Sequence, residues 1–216
     1  MKWDWIGENA GTIENLLGQH LCLAFLPVAI GLAIALPVGM LAVRHPRLYP
    51  SILMTGGILY SVPSLALFIV LPSILGTRIL DPINIIVALT FYAMALLIRS
   101  VVDGLRSVPD HVTQAASAIG YRRYRQLLQV ELPIALPVIA SGVRVVTVST
   151  ISLVSVGALI GTGGLGELFT QGFQLGFLTP IVVGGVLSVA ITLLADGLLL
   201  FVQRILTPWA RAGSVR

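Results

Sequence analysis

Three glycines in the second half of the chain have the spacing of a nucleotide-binding loop. Gly161, Gly163 and Gly166 follow the pattern G-x-G-x-x-G. A dinucleotide site needs this pattern between a strand and a helix, with an acidic residue about 20 positions further on. Here the glycines follow a long apolar segment and run directly into Glu167. The context therefore predicts a flexible turn or a re-entrant hairpin, and not a phosphate site.

The other residue types that support catalysis are scarce or scattered. A P-loop needs a lysine that reaches the β- and γ-phosphates, and the only lysine is Lys2. The histidines, His20, His45 and His111, are far apart, and Cys22 is the single cysteine. This spacing fits no metal site and no internal disulfide. We predict no catalytic residue, no metal and no bound cofactor, so energy for any work must come from another chain or from an ion gradient.

Two opposite charges lie inside otherwise apolar segments. Arg144 follows Pro133 by eleven residues, and Asp196 precedes Arg204 by eight. At about 1.5 Å per helical residue, the two charges lie at similar depths. Such charges are costly in hydrocarbon unless they are paired or hydrated. A structural ion pair is the first interpretation; lining of a polar path and partners elsewhere stay open.

The elements that must position these residues are membrane-spanning helices. Hydrophobic residues make up 56% of the 216 residues and charged residues 10%, against about 25% charge in a soluble domain. Crossing a bilayer takes about 20 apolar residues in a helix. The chain is therefore predicted to be an all-α polytopic membrane protein, one domain over residues 1–216. Five spans are expected, at residues 21–43, 51–75, 83–98, 134–160 and 178–202.

The basic residues set the expected orientation, because cytoplasmic loops retain positive charge. An N-terminus outside and a C-terminus inside place most of them on the cytoplasmic side, and this bias explains the net charge of +4 better than nucleic-acid binding does. The expected inner residues are Arg44, Arg47, Arg99, Arg106, Arg122, Arg123, Arg125, Arg204, Arg211 and Arg216. The N-terminal residues lack the basic-then-apolar pattern of a signal peptide, and we expect a polar or amphipathic lead-in.

Prolines and small residues shape the predicted spans. A proline within a helix removes a backbone donor and usually gives a kink or an unwound turn. Gly31, Ala35 and Gly39 recur every fourth residue, which favours close packing against another helix. The prolines concerned are Pro27, Pro37, Pro63, Pro72 and Pro137.

The predicted cytoplasmic loop, residues 99–133, is the longest and most polar. Ser107 followed by Val, Pro and Asp110 is typical of a helix start, with the serine as cap. A short helix through Gln114 should end at Gly120. A second short helix is expected over residues 121–130. Two short helices joined at a glycine make a knob that fits a groove on a partner.

The same loop carries a motif of fixed spacing. Gln114-Ala115-Ala116, three residues, Gly120, nine residues, then Val130-x-Leu132-Pro133 resembles the EAA loop of ABC importer permeases. That loop has Glu and Ile where this chain has Gln114 and Val130. In the family it docks on the ATP-binding subunit. The resemblance therefore implies coupling residues here: Pro109, Gln114, Ala115, Ala116, Gly120, Arg122, Arg123, Arg125, Leu132 and Pro133.

The resemblance extends over about residues 20 to 205. Segments 61–67, 97–106, 141–144 and 160–167 are similar to permeases that import glycine betaine, carnitine, choline or proline betaine, and related amino-acid permeases share the last of these segments. The resemblance implies the type I importer fold in the plasma membrane of a prokaryote. It also implies two ATP-binding subunits, a second permease copy or paralogue, and an external substrate-binding protein. ATP would be bound by the partner subunits.

The loop at residues 161–177 is then expected to form an outer gate. The gate residues are Gly161, Gly163, Gly164, Gly166 and Glu167. Three alternatives stay open. They are an amino-acid importer permease, a self-contained secondary transporter that uses Arg144 and Asp196 as an ion relay, and a purely structural subunit. The EAA-like loop argues against the last two.

Overall fold

The computed structural model describes residues 3–209, and within them every regular element is a helix. Three basic residues lie outside the described residues: Lys2, and Arg211 and Arg216 of the expected inner set. The α-helices are α1 (Asp4–Glu8), α2 (Ala10–Arg44), α3 (Tyr49–Ser61), α4 (Ser64–Leu75), α5 (Pro82–Arg106), α6 (Asp110–Ala118), α7 (Arg123–Gln126), α8 (Leu132–Gly157), α9 (Gly166–Gln174) and α10 (Leu178–Leu206). A π-helical turn, Leu127–Glu131, joins α7 to α8, and a 3₁₀ turn, Ala158–Ile160, follows α8.

Four of these helical stretches are long and apolar enough to cross a membrane, and a fifth span results if the bent pair α3 and α4 counts as one. The apolar segments found in the sequence all lie in these helices. The helices are longer than the segments because their ends carry polar residues. Helix α2, for example, begins at Ala10, eleven residues before the predicted start of the first span at residue 21.

Helix α5 is the centre of the bundle and packs against α2, α3, α4 and α8. In its most apolar stretch 56% of the residues are buried, against 11% in α10, which lies at the periphery. The small residues of α2 provide the closest approach. A Cβ atom on Gly31 would lie 2.9 Å from the Cβ of Ala93, and one on Gly39 would lie 2.6 Å from Cγ1 of Val101. The glycine and alanine stripe therefore packs α2 onto α5, as its spacing predicts.

The prolines differ in their effect. Pro27 and Pro37 lie within α2 without ending it, whereas the segment before Ser64 breaks the second span. Val62 and Pro63 are extended, and α3 and α4 meet at an angle of 99°. A residue before proline avoids the helical conformation, which explains the break. The hydroxyl of Tyr92 on α5 donates to the Val62 carbonyl and so satisfies a backbone group that the break frees.

Candidate functional site

The start of the loop between α5 and α8 differs from the helix start that its sequence predicts. Ser107 was predicted to cap α6, but its hydroxyl donates to the Gly104 carbonyl at 2.7 Å and its N–H to the Asp103 carbonyl, so it ends α5 instead. Pro109 occupies the N-cap position of α6, and its side chain makes no hydrogen bond to the first turn of the helix. Asp110 lies in the first turn, where its negative charge favours the helix N-terminus.

Gly120 ends α6 as its sequence predicts. Its φ is +90°, in the left-handed region that favours glycine. The Tyr121 N–H donates to the Ala116 carbonyl at 3.1 Å, and the Gly120 N–H donates to the Ser117 carbonyl at 3.1 Å. These two bonds form a Schellman motif, which satisfies the last carbonyls of the helix.

The second short helix predicted for this loop does not stand alone. It begins at Arg123, passes through the π-helical turn and continues into α8 without a break. Pro133, in the first turn of α8, has no N–H to donate, and the π-helical turn directly before it alters the hydrogen-bonding register there. The loop thus contains one short helix, α6, which packs against α7 and the π-helical turn that precede α8.

Gln126 braces this contact. It is buried, and its side-chain oxygen accepts a hydrogen bond from the Ser117 hydroxyl of α6 at 3.0 Å. Its side-chain nitrogen donates to the Glu131 carboxylate at 3.0 Å. The Ser117 hydroxyl also lies 3.0 Å from the Thr113 carbonyl, so its single hydrogen is shared between two acceptors. The chain of bonds connects α6 to the start of α8. Sequence reasoning missed Gln126, because nothing local marks a glutamine as buried.

The outward surface of the loop carries the residues expected to contact a partner. Of the residues in α6, only Ala116 is buried. Ile119, at the end of α6, is 76% exposed. A polar concavity of about 470 Å³ lies beside it. Pro109, Gln114, Ala115, Gly120, Arg122, Arg123 and Arg125 are exposed, and Leu132 and Pro133 are half-buried.

The glycine-rich segment follows α8 at its opposite end. Gly161, Gly163 and Gly164 all have positive φ values, which only glycine adopts readily. A Cβ on Gly166 would lie 2.5 Å from the Ser155 carbonyl oxygen. Glu167 accepts a hydrogen bond from the Gln171 side chain at 3.1 Å within α9. The segment therefore connects the end of α8 to α9 through a tight turn; the re-entrant hairpin at the outer face stays a prediction.

His20 of α2 holds this segment in place. Its Nδ1 accepts a hydrogen bond from the Leu165 N–H at 3.2 Å, and its Nε2 lies 3.1 Å from the Ile151 carbonyl. Because Nδ1 accepts, Nε2 must carry the hydrogen and donate to Ile151. The Gln19 side-chain oxygen also accepts from the Gly164 N–H at 3.4 Å. The segment is packed and bonded, and is not a loose turn.

Arg144 and Asp196 meet between α8 and α10. Nε of Arg144 donates to Oδ1 of Asp196 at 2.8 Å, and Nη2 donates to Oδ2 at 2.7 Å. This bidentate geometry is specific to a guanidinium and a carboxylate. The two side chains are 26% and 37% exposed, so the pair lies at the surface of the single chain and not in its core.

The structure does not bring these three sets of residues together. The coupling residues and the glycine-rich segment lie at opposite ends of α8, whose 26 residues span about 39 Å at 1.5 Å each. The ion pair lies between them. Within residues 3–209, no group of three His, Cys, Asp or Glu residues is arranged to hold a metal ion. Residues spread along one helix in this way are suited to transmitting a displacement from one end of α8 to the other, and not to catalysis at a single site.

Comparison with known proteins gives the family. The family described as binding-protein-dependent transport system inner membrane component matches residues 28–211. The osmoprotectant import permease protein OsmW of Salmonella typhimurium is 34% identical, over 93% of this chain and 94% of that protein. The glycine betaine/carnitine/choline transport system permease protein OpuCB of Bacillus subtilis is 28% identical, over 94% and 93%.

Solved structures give the same fold. A chain of the MetNI methionine ABC transporter, in an inward-facing conformation, aligns with a TM-score of 0.84 at 24% identity, over 96% of this chain and 100% of that chain. A second crystal form of MetNI aligns with a TM-score of 0.79 at 27% identity, over 88% and 93%. Permeases of this family are not enzymes; they work with an ATP-hydrolysing subunit and a substrate-binding protein. This chain belongs to the binding-protein-dependent transport system inner membrane component family, as a multi-pass permease subunit of an ABC importer.

Proposed function

We propose that this permease imports quaternary-amine osmoprotectants such as glycine betaine, carnitine or choline. The observation that carries this proposal is similarity over more than nine-tenths of the chain to permeases named for these solutes. The carnitine transport permease protein OpuCD of Listeria monocytogenes, 28% identical over 95% of this chain and 91% of that protein, is a further example.

The working unit in this proposal contains two permease subunits, two ATP-binding subunits and an external binding protein. The second permease is another copy of this chain or a paralogue. The N-terminus faces outward and the C-terminus faces the cytoplasm, so that the loop between α5 and α8 meets the ATPase. The arginines of that loop, Arg122, Arg123 and Arg125, are exposed, which agrees with the retention of positive charge on the cytoplasmic side.

Coupling passes from the loop into α8. ATP binding would draw the two permease loops together, and the brace from Ser117 through Gln126 to Glu131 would carry that displacement into α8. Because α7, the π-helical turn and α8 form one continuous helix, its far end would move as well. Hydrolysis then resets the importer to its inward-open state.

The far end of α8 leads into the proposed outer gate, residues Gly161–Glu167. His20 ties this segment to α2 and to Ile151 of α8, so a displacement of α8 relative to α2 would strain the tie directly. Positive φ angles at Gly161, Gly163 and Gly164 let the turn fold tightly over the helix ends. The gate thus opens by movement of packed helices and not by melting of a loop.

A second candidate is the import of an amino acid. It is favoured by the likeness to the second crystal form of the MetNI methionine ABC transporter, at 27% identity over 88% of this chain. The likeness to the osmoprotectant import permease OsmW covers 93% of this chain at 34% identity, and we rank that substrate class first.

Reconstitution tests both candidates. The complete importer would be assembled in proteoliposomes with its ATPase and binding protein, and uptake of radiolabelled glycine betaine, carnitine, choline and methionine would be measured with and without ATP. We expect ATP-dependent uptake of at least one quaternary amine. Uptake of methionine alone would assign the second candidate, and uptake without the ATPase would contradict both. Mass measurement of the purified complex gives the subunit ratio.

A further inference from the structure

We propose that Arg144 is a contact point for the carboxylate of a zwitterionic quaternary-ammonium solute as it crosses the permease. The proposal deepens the function proposed above and rests on it. A guanidinium has five N–H donors in a planar fork. Only Nε–H and one N–H of Nη2 are used, both by Asp196. The other N–H groups of Arg144 meet no acceptor in the part of the chain that the structure describes.

These unused donors lie at the middle of a spanning helix. Arg144 is about 18 Å along the axis from Leu132, where α8 begins, and about 20 Å from Gly157, where it ends. Long charged side chains near helix ends can reach the membrane interface, but one at mid-helix is poorly placed to do so. Polar hydrogens facing hydrocarbon cost free energy, so water, a polar ligand or a polar group of another subunit must meet this edge of Arg144.

The surroundings of the pair match the two ends of such a solute. A concavity of about 330 Å³ opens beside the pair between α8 and α10. Val145, 63% exposed, and Val148 form an apolar wall against which the methyl groups of an ammonium would pack, while the carboxylate accepts hydrogen bonds from Arg144. The remaining lining residues are Ser141 and Ser149.

The site is suited to passage and not to retention. Strong binding of a quaternary ammonium uses a cage of aromatic rings, and no aromatic residue of the described chain lines this concavity. Permeation needs contacts weak enough to let the solute leave. One charge-assisted contact beside an apolar wall meets that need, and it prefers a solute with a carboxylate, such as glycine betaine, to choline.

A polar seam continues from the pair towards the proposed outer gate. A second concavity of about 360 Å³ lies between the same two helices, with Ser152 and Ser155 on α8 and Ser188 and Thr192 on α10. The hydroxyl of Ser188 is buried and has no hydrogen-bond partner. Ile151, Val189 and Leu193 also line this concavity, and the hydroxyls of Ser152 and Thr192 donate to carbonyls of their own helices. The seam therefore offers a solute hydroxyl oxygens along a mainly apolar wall, between Arg144 and the proposed outer gate.

Cysteine protection tests the proposal on the complete importer. Cys22 is the only cysteine of this chain, so Cys22→Ser removes the native thiol of the permease, and labelling is read on the permease band alone. Val145→Cys places a probe beside Arg144, and Leu194→Cys, at a position 73% exposed on the opposite side of α10, serves as the lipid-facing control. A water-soluble thiol reagent is added to both sides of proteoliposomes, with increasing glycine betaine or choline.

We expect the probe at 145 to react and the control at 194 to stay unlabelled. Glycine betaine should protect the probe at a concentration about tenfold lower than choline, the effect of one hydrogen bond to a charged group. Arg144→Gln should remove that difference. If this variant is poorly produced because Asp196 loses its partner, the double variant Arg144→Gln with Asp196→Asn removes both charges and should give the same result.

Three results would overturn the proposal. They are an unreactive probe, which means that lipid or a second copy covers this face; equal protection by both solutes; and a betaine preference that survives the loss of the Arg144 guanidinium in the single or the double variant. ATP-driven uptake by the Cys22→Ser parent is measured in parallel. If the parent imports a quaternary amine and the probe fails, only the role of Arg144 is wrong.

Discussion

Replacement of Gly120 by valine should uncouple this permease from its ATPase while leaving the bundle folded. Gly120 has a φ of +90°, and a Cβ built there would meet no atom within 4 Å. A Cβ at this position therefore causes no clash, and the cost of the substitution comes from the backbone conformation. An L-residue in the left-handed region costs about 1–2 kcal/mol, and a β-branched residue belongs at or above the top of that range.

That penalty falls on a short element. Helix α6 has nine residues, and its exit is defined by the two hydrogen bonds at Gly120. At about 2 kcal/mol, the population of loops with the native exit falls roughly 30-fold relative to competing conformations. The melting temperature should change little, because the loop lies outside the apolar core around α5. Gly120→Asn should lose less than valine, since asparagine tolerates this conformation.

The assay is ATP hydrolysis by the reconstituted importer, stimulated by substrate-loaded binding protein, beside melting of the purified complex. Gly176 provides a matched control. It also has positive φ, has no atom within 4 Å of a built Cβ, and ends a nine-residue helix with the same pair of bonds, but on the opposite side of the bundle. Gly176→Val should keep stimulation. Full stimulation in Gly120→Val, or an equal loss in both variants, would show that the coupling assignment is wrong.

Three further outcomes are expected. Asp196→Asn or Arg144→Gln alone should lower the melting temperature, and the exchange of the two residues should restore part of the loss; additive effects in that cycle would exclude direct pairing. His20→Leu removes the acceptor of a buried N–H, at a cost of about 1–3 kcal/mol, and should speed hydrogen exchange over residues 161–166; unchanged exchange would show that the histidine does not hold the gate. In the variant without native cysteine, a thiol at Arg122 should be protected from an impermeant reagent in intact cells and one at Arg78 should react, and the reverse pattern would invert the proposed orientation.

Much of the architecture could be predicted because the membrane permits few structures. Backbone groups in lipid must be satisfied within the segment, so apolar runs such as residues 21–43 are helices. The depth of a residue in the membrane could also be predicted, because a helix rises by a fixed distance per residue. Arg144 and Asp196 were placed at similar depths from residue counts alone. The ion pair was the first of three interpretations, and the residue counts could not decide among them, because whether the two side chains face each other depends on how α8 and α10 rotate within the fold.

Local patterns failed where two elements compete for one residue. The order Ser107, Pro109, Asp110 fits a capped helix start, yet the serine closes the preceding helix through Gly104. A second short helix was expected to end at residue 130, three positions before Pro133, but the π-helical turn Leu127–Glu131 lets the chain continue as α8. In both cases the sequence pattern correctly indicated that a helix boundary or irregularity was near. Tertiary packing determined whether that residue ended one helix or belonged to the next.

The side chains that sequence reasoning missed share one physical cause. Tyr92 meets the Val62 carbonyl where the second span breaks, and His20 meets the Leu165 N–H where the glycine-rich segment turns. Both partners are backbone groups that lie outside regular α-helix, in surroundings that offer little water to replace the lost bonds. An irregular segment at membrane depth therefore predicts that a polar side chain lies close by. Which side chain it is depends on contacts between residues as far apart as 145 positions in the sequence, and only the fold supplies them.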